Sequence, residues 1–309
     1  MPANPNSLGA LPFRFRRQRI LIMGSGDVGA RIGALLRRNV QVIAVARSAE
    51  RLEALRQSGL RVLQGDLDDL RSIRRLAGVA HRVVHLAPPP ANGQCDARTA
   101  QLLQVLSLRS LPSALVYVST TGVYGDCKGD WVSETRMAKP TTPRAQRRLH
   151  AERSIRSWGR RMFVPVCLLR APGIYAPDRE GGTPWSRLAN RTPVLLAEDD
   201  IFTNHIHADD LARACVRALW LGRGQRAYNV NDDTAMKMGE YLDWAADHYG
   251  LERPPRQSWE EIQTNVSPTQ LSFMRESRRL SNVRIKAELR WKLRFPTVKQ
   301  GLQLNQTTT

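Results

Sequence analysis

Three glycines near the amino end have a spacing that could hold phosphate groups. Gly24, Gly26 and Gly29 follow the pattern G-x-G-x-x-G. In such a loop the first glycine permits a tight turn, the second lets a pyrophosphate approach the backbone, and the third lets a helix pack closely on a strand. The N–H groups at the start of that helix attract negative charge. The spacing predicts a diphosphate site, with an ordinary strand–turn–helix as the alternative.

Both flanks of the glycines fit a phosphate-binding loop. The apolar run from Ile20 to Met23 predicts a buried strand, and Val28, Ile32 and Leu36 recur at helical spacing. This order of strand, turn and helix is typical of domains that bind a nicotinamide dinucleotide. We therefore expect contacts with this cofactor along the whole loop, at Gly24, Ser25, Gly26, Asp27, Val28 and Gly29.

The residues after the second predicted strand indicate which dinucleotide binds. An acidic side chain there usually holds the ribose of NAD, whereas a basic one accepts the extra phosphate of NADP. The chain has Arg47 and Ser48 at this point and no carboxylate. We predict NADP, with NAD as the alternative if Arg47 is only a solvated loop residue. Asp66, after the third predicted strand, is expected to face the adenine, unless it only caps a helix or turn.

Strand and helix patterns alternate through the first half of the chain. The predicted strands are residues 20–23, 42–46, 61–63, 82–86, 115–118 and 164–169. This βαβ rhythm predicts an α/β protein built on a Rossmann-type, doubly wound parallel sheet. A small C-terminal substrate lobe is expected after the sheet, because the rhythm weakens where glycines and prolines become frequent.

Three regions follow from this pattern. Residues 1–18 are expected to be a flexible basic leader, and residues 19–170 an NAD(P)-binding Rossmann domain completed by parts of 201–230. Residues 171–304 are predicted to hold the substrate lobe and the C-terminal helices. No apolar run approaches the roughly 20 residues of a membrane helix, so we expect a cytoplasmic protein without a membrane partner.

The chain is strongly basic. Its 309 residues contain 47 lysines and arginines against 28 aspartates and glutamates, a formal net charge of +19. These charges are not interleaved with aromatic residues, which argues against a nucleic acid partner. Attraction of an anionic small-molecule substrate is the preferred explanation. The four cysteines include no C-x-x-C pair, which favours free thiols over disulfides or a metal site.

Five motifs occur together in one order and span most of the chain. They are residues 24–29, 65–67, 116–125, 169–175 and 204–212. In these motifs the chain resembles the extended short-chain dehydrogenase/reductase family, in its NAD-dependent epimerase/dehydratase branch. The resemblance implies an oxidoreductase or isomerase that acts on a sugar nucleotide or another oxygenated small molecule. On it we expect further cofactor contacts at Leu67, Leu86, Ala87, Pro88, Ser119, Arg148, Pro172 and Gly173.

The reaction centre departs from this family's pattern. The family uses a Ser/Thr hydroxyl and a Tyr-x-x-x-Lys pair on the helix after the fifth strand, with tyrosine as acid/base. Ser119 and Thr120 supply the hydroxyls, but Arg144 and Arg148 stand at the tyrosine and lysine positions. Arginine cannot act as a base near neutral pH, because its pKa lies above about 12. Arg148 is expected to bind ribose or phosphate and to lower a neighbouring pKa.

This substitution has three competing consequences. Another residue could replace the tyrosine, with Tyr124 first and Tyr175 second, although Tyr124 could be only a packing aromatic. Alternatively, arginines bind an acidic substrate while an unidentified residue reacts, or the protein is a non-catalytic NADP-binding sensor or regulator. The preferred hypothesis is an enzyme with Thr120, Tyr124 and Arg148 as catalytic residues. Its substrate-binding residues are then Arg144, Tyr175 and Arg179.

His205 and His207 share one face of a predicted strand, so they could pair on a metal ion. No nearby cysteine or third histidine completes a ligand set, and we therefore predict no metal. A homodimer is an open expectation, since members of the resembled family often pair through helices beside the sheet.

Overall fold

The computed structural model of this chain describes residues 17–38 and 40–303. The predicted leader, residues 1–18, lies outside the described residues except for its last two. The strands are β1 (Arg19–Met23), β2 (Gln41–Ala46), β3 (Arg61–Gln64), β4 (Arg82–His85), β5 (Ala114–Thr120), β6 (Trp131–Val132), β7 (Val166–Ala171), β8 (Gly173–Tyr175), β9 (Val194–Leu195), β10 (Phe202–Thr203), β11 (His205–His207), β12 (Arg226–Asn229), β13 (Met236–Lys237), β14 (Arg256–Gln257) and β15 (Arg279–Leu280). The helices are α1 (Asp27–Leu36), α2 (Ala49–Gln57), α3 (Leu70–Ile73), α4 (Ala97–Leu106), α5 (Pro143–Arg161), α6 (Trp185–Ala189), α7 (Ala208–Leu221), α8 (Met238–Tyr249), α9 (Trp259–Asn265), α10 (Pro268–Met274), α11 (Val283–Glu288) and α12 (Val298–Gln303).

Seven strands of the described chain form one central sheet. Their order is β12-β7-β5-β4-β1-β2-β3, and every neighbouring pair is parallel. Six of them correspond to the predicted strands, with ends shifted by no more than two residues. The seventh, β12, comes from within residues 201–230. The prediction of a Rossmann-type, doubly wound parallel sheet is confirmed.

Strand β1 shows how both faces of the sheet are covered. Successive side chains of a strand point to opposite faces. Ile20 and Ile22 belong to the core that includes residues of α1 and α7, whereas Leu21 and Met23 belong to the core that includes residues of α4 and α5. Because helices cover both faces, the strand is a continuous apolar run without polar alternation.

The carboxyl ends of the parallel strands lie at one edge of the sheet. The strand order reverses between β1 and β4, and a crevice for ligands is expected at such a point. After β7 the chain forms short strand pairs, β8 with β11, β9 with β14 and β10 with β13. Together with α6 and α8 these pairs build the lobe that faces the carboxyl edge.

A buried ion pair joins α5 to β7. The Arg170 Nε and Nη2 groups donate to the two carboxylate oxygens of Glu152 at 3.0 and 2.6 Å, and the side chains are only 5% and 2% exposed. The guanidinium carbon of Arg170 also lies 4.8 Å from the ring centre of Tyr124. This pair fixes α5 behind the ends of β5 and β7, where the site is built.

Breaking this pair should cost much of the stability of the fold. In Glu152→Gln the Arg170 cation stays buried without a counter-charge, so we expect the free energy of unfolding to fall by about 3–5 kcal/mol. Urea-induced unfolding followed by circular dichroism measures the loss. The control variant Glu53→Gln removes the exposed ion pair between Glu53 and Arg56. Its free energy of unfolding should change by less than about 1 kcal/mol. Equal losses in both variants would contradict the structural role of the buried pair.

Candidate functional site

The glycine loop after β1 lines a cavity of about 650 Å³, which we call the glycine-loop cavity. Gly24 has φ +89°, and a Cβ there would lie 2.5 Å from the Ala87 nitrogen. A Cβ at Gly29 would lie 3.1 Å from the Gly24 oxygen, so helix α1 packs closely on the loop. Gly26 differs, because nothing lies within 4 Å of an added Cβ there. Gly26 is also the N-cap of α1 and supplies no capping side chain.

Ten of the predicted cofactor residues line this cavity: Gly24, Ser25, Gly26, Arg47, Ser48, Asp66, Leu67, Leu86, Ala87 and Pro88. Asp27 and Gly29 do not line it. The Asp27 carboxylate is bound by Arg31 at 3.1 Å and by Arg179 at 3.4 Å. These two guanidinium groups neutralise the one acidic side chain of the loop, which would otherwise repel a diphosphate.

The end of the cavity after β2 is basic. Arg47 is 66% exposed and its nearest carboxylate oxygen, on Asp66, lies 3.9 Å away. The Ser48 hydroxyl oxygen accepts a hydrogen bond from the Arg51 backbone N–H and so caps α2, which leaves its hydrogen able to donate. The Arg51 Nε group donates to the Ser25 carbonyl at 2.7 Å and braces the loop.

Two basic residues of this cavity, Arg51 and Arg98, were missed by the sequence analysis. Arg51 lies in the first turn of α2, shortly after Arg47 in the sequence, and this proximity could have suggested a shared cavity. Arg98 lies on α4, binds the Asp68 carboxylate through two nitrogens and donates to the Pro88 carbonyl. No sequence signal joins Arg98 to the glycine loop, because the contact depends on how α4 packs.

A second cavity of about 690 Å³ adjoins the first at Leu86, which lines both. One wall is formed by the end of β5 and the start of α5, and the facing wall by lobe residues that include 201–205. Four arginines line it, Arg144, Arg148, Arg187 and Arg278, against one carboxylate, Glu276. We call it the arginine cavity. Among the described residues, no tyrosine or lysine lines it.

Eight of the predicted site residues line the arginine cavity: Val28, Leu86, Ser119, Thr120, Arg144, Arg148, Pro172 and Gly173. The Thr120 hydroxyl oxygen accepts a hydrogen bond from the Gly122 N–H at 3.2 Å, so its hydrogen can donate to a ligand. The Ser119 hydroxyl is buried and has no hydrogen-bond partner in the described chain. Both hydroxyls of the predicted centre therefore lie at the end of β5 beside a cavity.

Arg148 is held against the end of β5. Its Nη1 group donates to the Tyr117 hydroxyl at 3.0 Å and to the Val118 carbonyl at 2.9 Å. Burial raises the pKa of the Tyr117 hydroxyl to about 12, although the Arg148 guanidinium opposes this shift. Tyr117 is therefore a neutral support for Arg148. Arg144 lies over the Phe273 ring at 4.5 Å, and no carboxylate of the described chain lies within ion-pair distance of it.

Tyr124 does not reach this cavity, contrary to the role predicted for it. Its side chain is 2% exposed, and its hydroxyl donates to the Asn229 side-chain oxygen at 2.7 Å. The Arg170 guanidinium covers its ring. The short 3-10 turn after Thr120 directs Tyr124 inward, which the four-residue spacing from Thr120 could not reveal. We therefore leave Tyr124 out of the reaction centre.

Tyr175 and Arg179 also lie outside the lining of the arginine cavity. Tyr175 is buried in the core of the lobe, and its hydroxyl donates to the Thr297 carbonyl at 3.3 Å. Arg179 donates to the Ile174 carbonyl and contacts Asp27 of the glycine loop. The structure thus separates both residues from the position predicted for a substrate.

The lobe contributes side chains that the sequence analysis did not assign. The Glu276 carboxylate accepts from the Thr141 hydroxyl at 3.0 Å and pairs with Arg278 at 2.9 Å. His205 also lines the cavity, and burial lowers its pKa to about 4, so it is neutral at pH 7. No sequence motif marks Glu276 and Arg278, because they join the lining of the cavity only through folding.

His207 is the N-cap of α7, and its Nδ1 accepts from the Asp209 N–H at 3.1 Å. Within residues 17–38 and 40–303, no group of three or more histidine, cysteine, aspartate or glutamate side chains is arranged to hold a metal ion. No helix in the same part of the chain has the length and apolar character needed to span a membrane.

Comparison with known proteins identifies a family model and a curated relative that match this chain. The model of the NAD dependent epimerase/dehydratase family matches residues 20–231. A dTDP-glucose 4,6-dehydratase of Mycobacterium tuberculosis is 25% identical over 215 residues, which are 63% of this chain and 64% of the relative's length. The chain thus matches slightly less than two thirds of that relative.

Solved structures share the fold over nearly the whole chain. A functionally unknown conserved protein from Silicibacter pomeroyi superimposes with a TM-score of 0.74 at 26% identity, covering 92% of this chain and 96% of the other. A UDP-glucose 4-epimerase from Thermotoga maritima, solved with UDP-glucose, gives a TM-score of 0.75 at 17% identity, covering 93% and 96%.

Two glycine variants should separate ligand contact from folding. Gly26→Ala is expected to leave the thermal unfolding midpoint near that of the wild type, because nothing lies within 4 Å of the added Cβ. Its affinity for NADP and NAD should fall roughly 5- to 150-fold, because crowding a close contact costs about 1–3 kcal/mol. Isothermal titration calorimetry measures the affinities.

Gly24→Ala is the contrasting variant. It should lower the unfolding midpoint itself, because φ is positive there and the added Cβ would meet the Ala87 backbone. A Gly26→Ala protein that binds both dinucleotides as tightly as the wild type would contradict the assignment of Gly26 to the phosphate cradle.

Proposed function

Because the chain belongs to the NAD-dependent epimerase/dehydratase family, we propose that it binds a nicotinamide dinucleotide across the two cavities and acts on an anionic, oxygenated small molecule. The observation that carries this proposal is that the glycine-loop cavity and the arginine cavity share Leu86 as a lining residue. Residues of the first cavity would hold the adenosine and the diphosphate. Residues of the second would hold the nicotinamide half and the substrate.

The side chains and backbone present in the first cavity fit this cofactor. The exposed backbone of Gly26 and the uncapped start of α1 offer N–H donors to a diphosphate. Arg47 and the Ser48 hydroxyl stand where the extra phosphate of NADP would lie. We therefore favour NADP over NAD, since Arg47 is exposed and has only a 3.9 Å contact with Asp66.

The side chains of the arginine cavity suggest a division of roles. The bound dinucleotide would accept or return a hydride at its nicotinamide ring. Thr120 would donate a hydrogen bond to the oxygen on the reacting carbon. Arg148, fixed by Tyr117 and Val118, would hold the nicotinamide ribose. Arg144 would attract the negative charge of the substrate. A sugar nucleotide, such as the UDP-glucose bound by the Thermotoga maritima epimerase, has a diphosphate that suits this charge.

A non-catalytic, NADP-binding sensor or regulator is the second candidate. It is favoured by the absence of tyrosine and lysine from the described lining of the arginine cavity. Cofactor binding is common to both candidates, so turnover must decide. Sustained oxidation of NADPH in the presence of ketones or aldehydes, or conversion of a sugar nucleotide with no net change in the dinucleotide, would support the enzyme. Tight NADP binding with no turnover across such a panel would support the regulator.

The preference for NADP can be tested at Arg47. Arg47→Ala should lower the affinity for NADP roughly tenfold or more, because a hydrogen bond to a charged group contributes about 1.5–3 kcal/mol. Affinity for NAD should stay near the wild-type value, because NAD lacks the extra phosphate. Calorimetry with both dinucleotides measures the ratio. Arg71→Ala, an exposed arginine on α3 outside the cavity, is the control. An unchanged ratio in Arg47→Ala would contradict the preference.

The reaction centre can be tested with one matched pair of variants. Thr120→Val should lower kcat about 10²–10³-fold, the usual effect of removing one donor that stabilises developing charge. Tyr124→Phe should leave kcat unchanged. It should lower the free energy of unfolding by about 1 kcal/mol, because it removes the hydrogen bond to Asn229. Steady-state kinetics on the best substrate of the panel measures both. A large fall in kcat for Tyr124→Phe would return that residue to the mechanism.

A further inference from the structure

Arg187, on helix α6, is a cation that no carboxylate of the described residues pairs with. Its Nε and Nη2 groups are closed off from solvent and have no hydrogen-bond partner in the described chain. Its Nη1 group contacts the Met238 thioether sulfur at 3.4 Å, a weak acceptor. No carboxylate oxygen of the described residues lies within 4 Å of its nitrogens.

Two other buried arginines are matched by acids. Arg170 pairs with Glu152 at 2.6 Å, and Arg278 pairs with Glu276 at 2.9 Å. The groups whose field reaches Arg187 are Tyr241 and Asp200. The Asp200 carboxylate accepts from backbone N–H groups and lies 3.6 Å from Arg256. It lies beyond 4 Å from the Arg187 nitrogens and is therefore not their direct partner.

The permanent positive charge of a guanidinium group explains why this arrangement points to a ligand. A guanidinium group keeps its proton in proteins, so Arg187 cannot relieve its burial by becoming neutral. Burial lowers its pKa, which means that the surroundings oppose the charge. Buried charges are normally paired. Arg187 lines the arginine cavity, so an anion that enters this space could supply the partner that the described residues do not.

Arg187 and the reacting groups lie on different walls of this cavity. Thr120 and Arg148 belong to the wall made by β5 and α5, whereas Arg187 and Met238 belong to the lobe. A molecule that bridges the walls would place its reacting carbon at Thr120 and another part at Arg187.

We infer that Arg187 binds an anionic group, a phosphate or a carboxylate, on the non-reacting part of the substrate and thereby determines substrate specificity. The planar guanidinium suits two parallel hydrogen bonds to either group. This inference rests on the proposed function, because it requires the substrate to occupy the arginine cavity.

The test uses the full chain saturated with NADP and four probes: UDP-glucose, glucose 1-phosphate, glucuronate and uncharged glucose. The wild type should bind at least one charged probe more tightly than glucose. Comparing UDP-glucose and glucose 1-phosphate, which carry phosphate, with glucuronate, which carries a carboxylate, shows which anion is preferred. Arg187→Met should weaken that binding roughly tenfold or more, and Arg187→Lys should restore part of it. Arg191→Met removes an exposed arginine paired with Glu252 and should leave probe binding unchanged.

A second measurement needs no ligand. Arg187→Met should raise the thermal unfolding midpoint of the protein without NADP or probe, because it removes an uncompensated buried charge. A lower midpoint would show a structural role and overturn the inference. The inference would also be overturned if the charged probes bound the wild type no better than glucose does. The same holds if they bound Arg187→Met as tightly as the wild type. NADP affinity should be equal in all variants. Failure of the wild type to bind NADP or NAD would overturn the proposed function and this inference with it.

Discussion

The close approach of two backbones at the carboxyl edge of the sheet is the constraint on which the site depends. The loop after β1 passes the loop after β4 so closely that a Cβ at Gly24 would lie 2.5 Å from the Ala87 nitrogen. The Leu86 and Ala87 N–H groups both donate to the Met23 carbonyl. This contact joins the two strands between which the sheet order reverses. It also puts Leu86 at the border of both cavities, so a dinucleotide bound at the glycine loop would extend towards the end of β5.

The arginines of the chain occur in two different electrostatic settings. Many arginines hold elements of the fold together through paired carboxylates, as Arg170 does with Glu152 between β7 and α5. Arg31 similarly joins α1 to Asp178 and Asp209 at 2.7 and 2.6 Å. In the arginine cavity the balance differs, because four arginines face one glutamate that is already paired. Local excess charge of this kind would attract the anionic substrate that we propose, whereas the net charge alone says little about the ligand.

Helix α5 carries the two arginines that we propose for the tyrosine and lysine positions of the family's reaction centre. Arg148, proposed for the lysine position, is anchored at the end of β5 through Tyr117 and Val118. Arg144, proposed for the tyrosine position, lines the cavity beside Phe273, and its guanidinium group cannot act as a base near neutral pH. Any proton transfer must therefore come from a hydroxyl, from His205 or Glu276, from the substrate or from water.

Local sequence determined the sheet, the glycine loop and the hydroxyls at Ser119 and Thr120, because apolar periodicity, positive-φ glycines and strand ends are properties of short segments. The positions of Arg47 and Arg148 followed from the same local order, whereas NADP preference and a homodimer stay predictions. Only the tertiary structure decided which distant side chains meet. It turned Tyr124 towards Asn229, buried Tyr175 in the lobe, and brought Arg187 and Glu276 to the cavity. These outcomes depend on packing between segments far apart in the chain. The spacing of residues in the sequence does not predict which way a side chain points at such contacts.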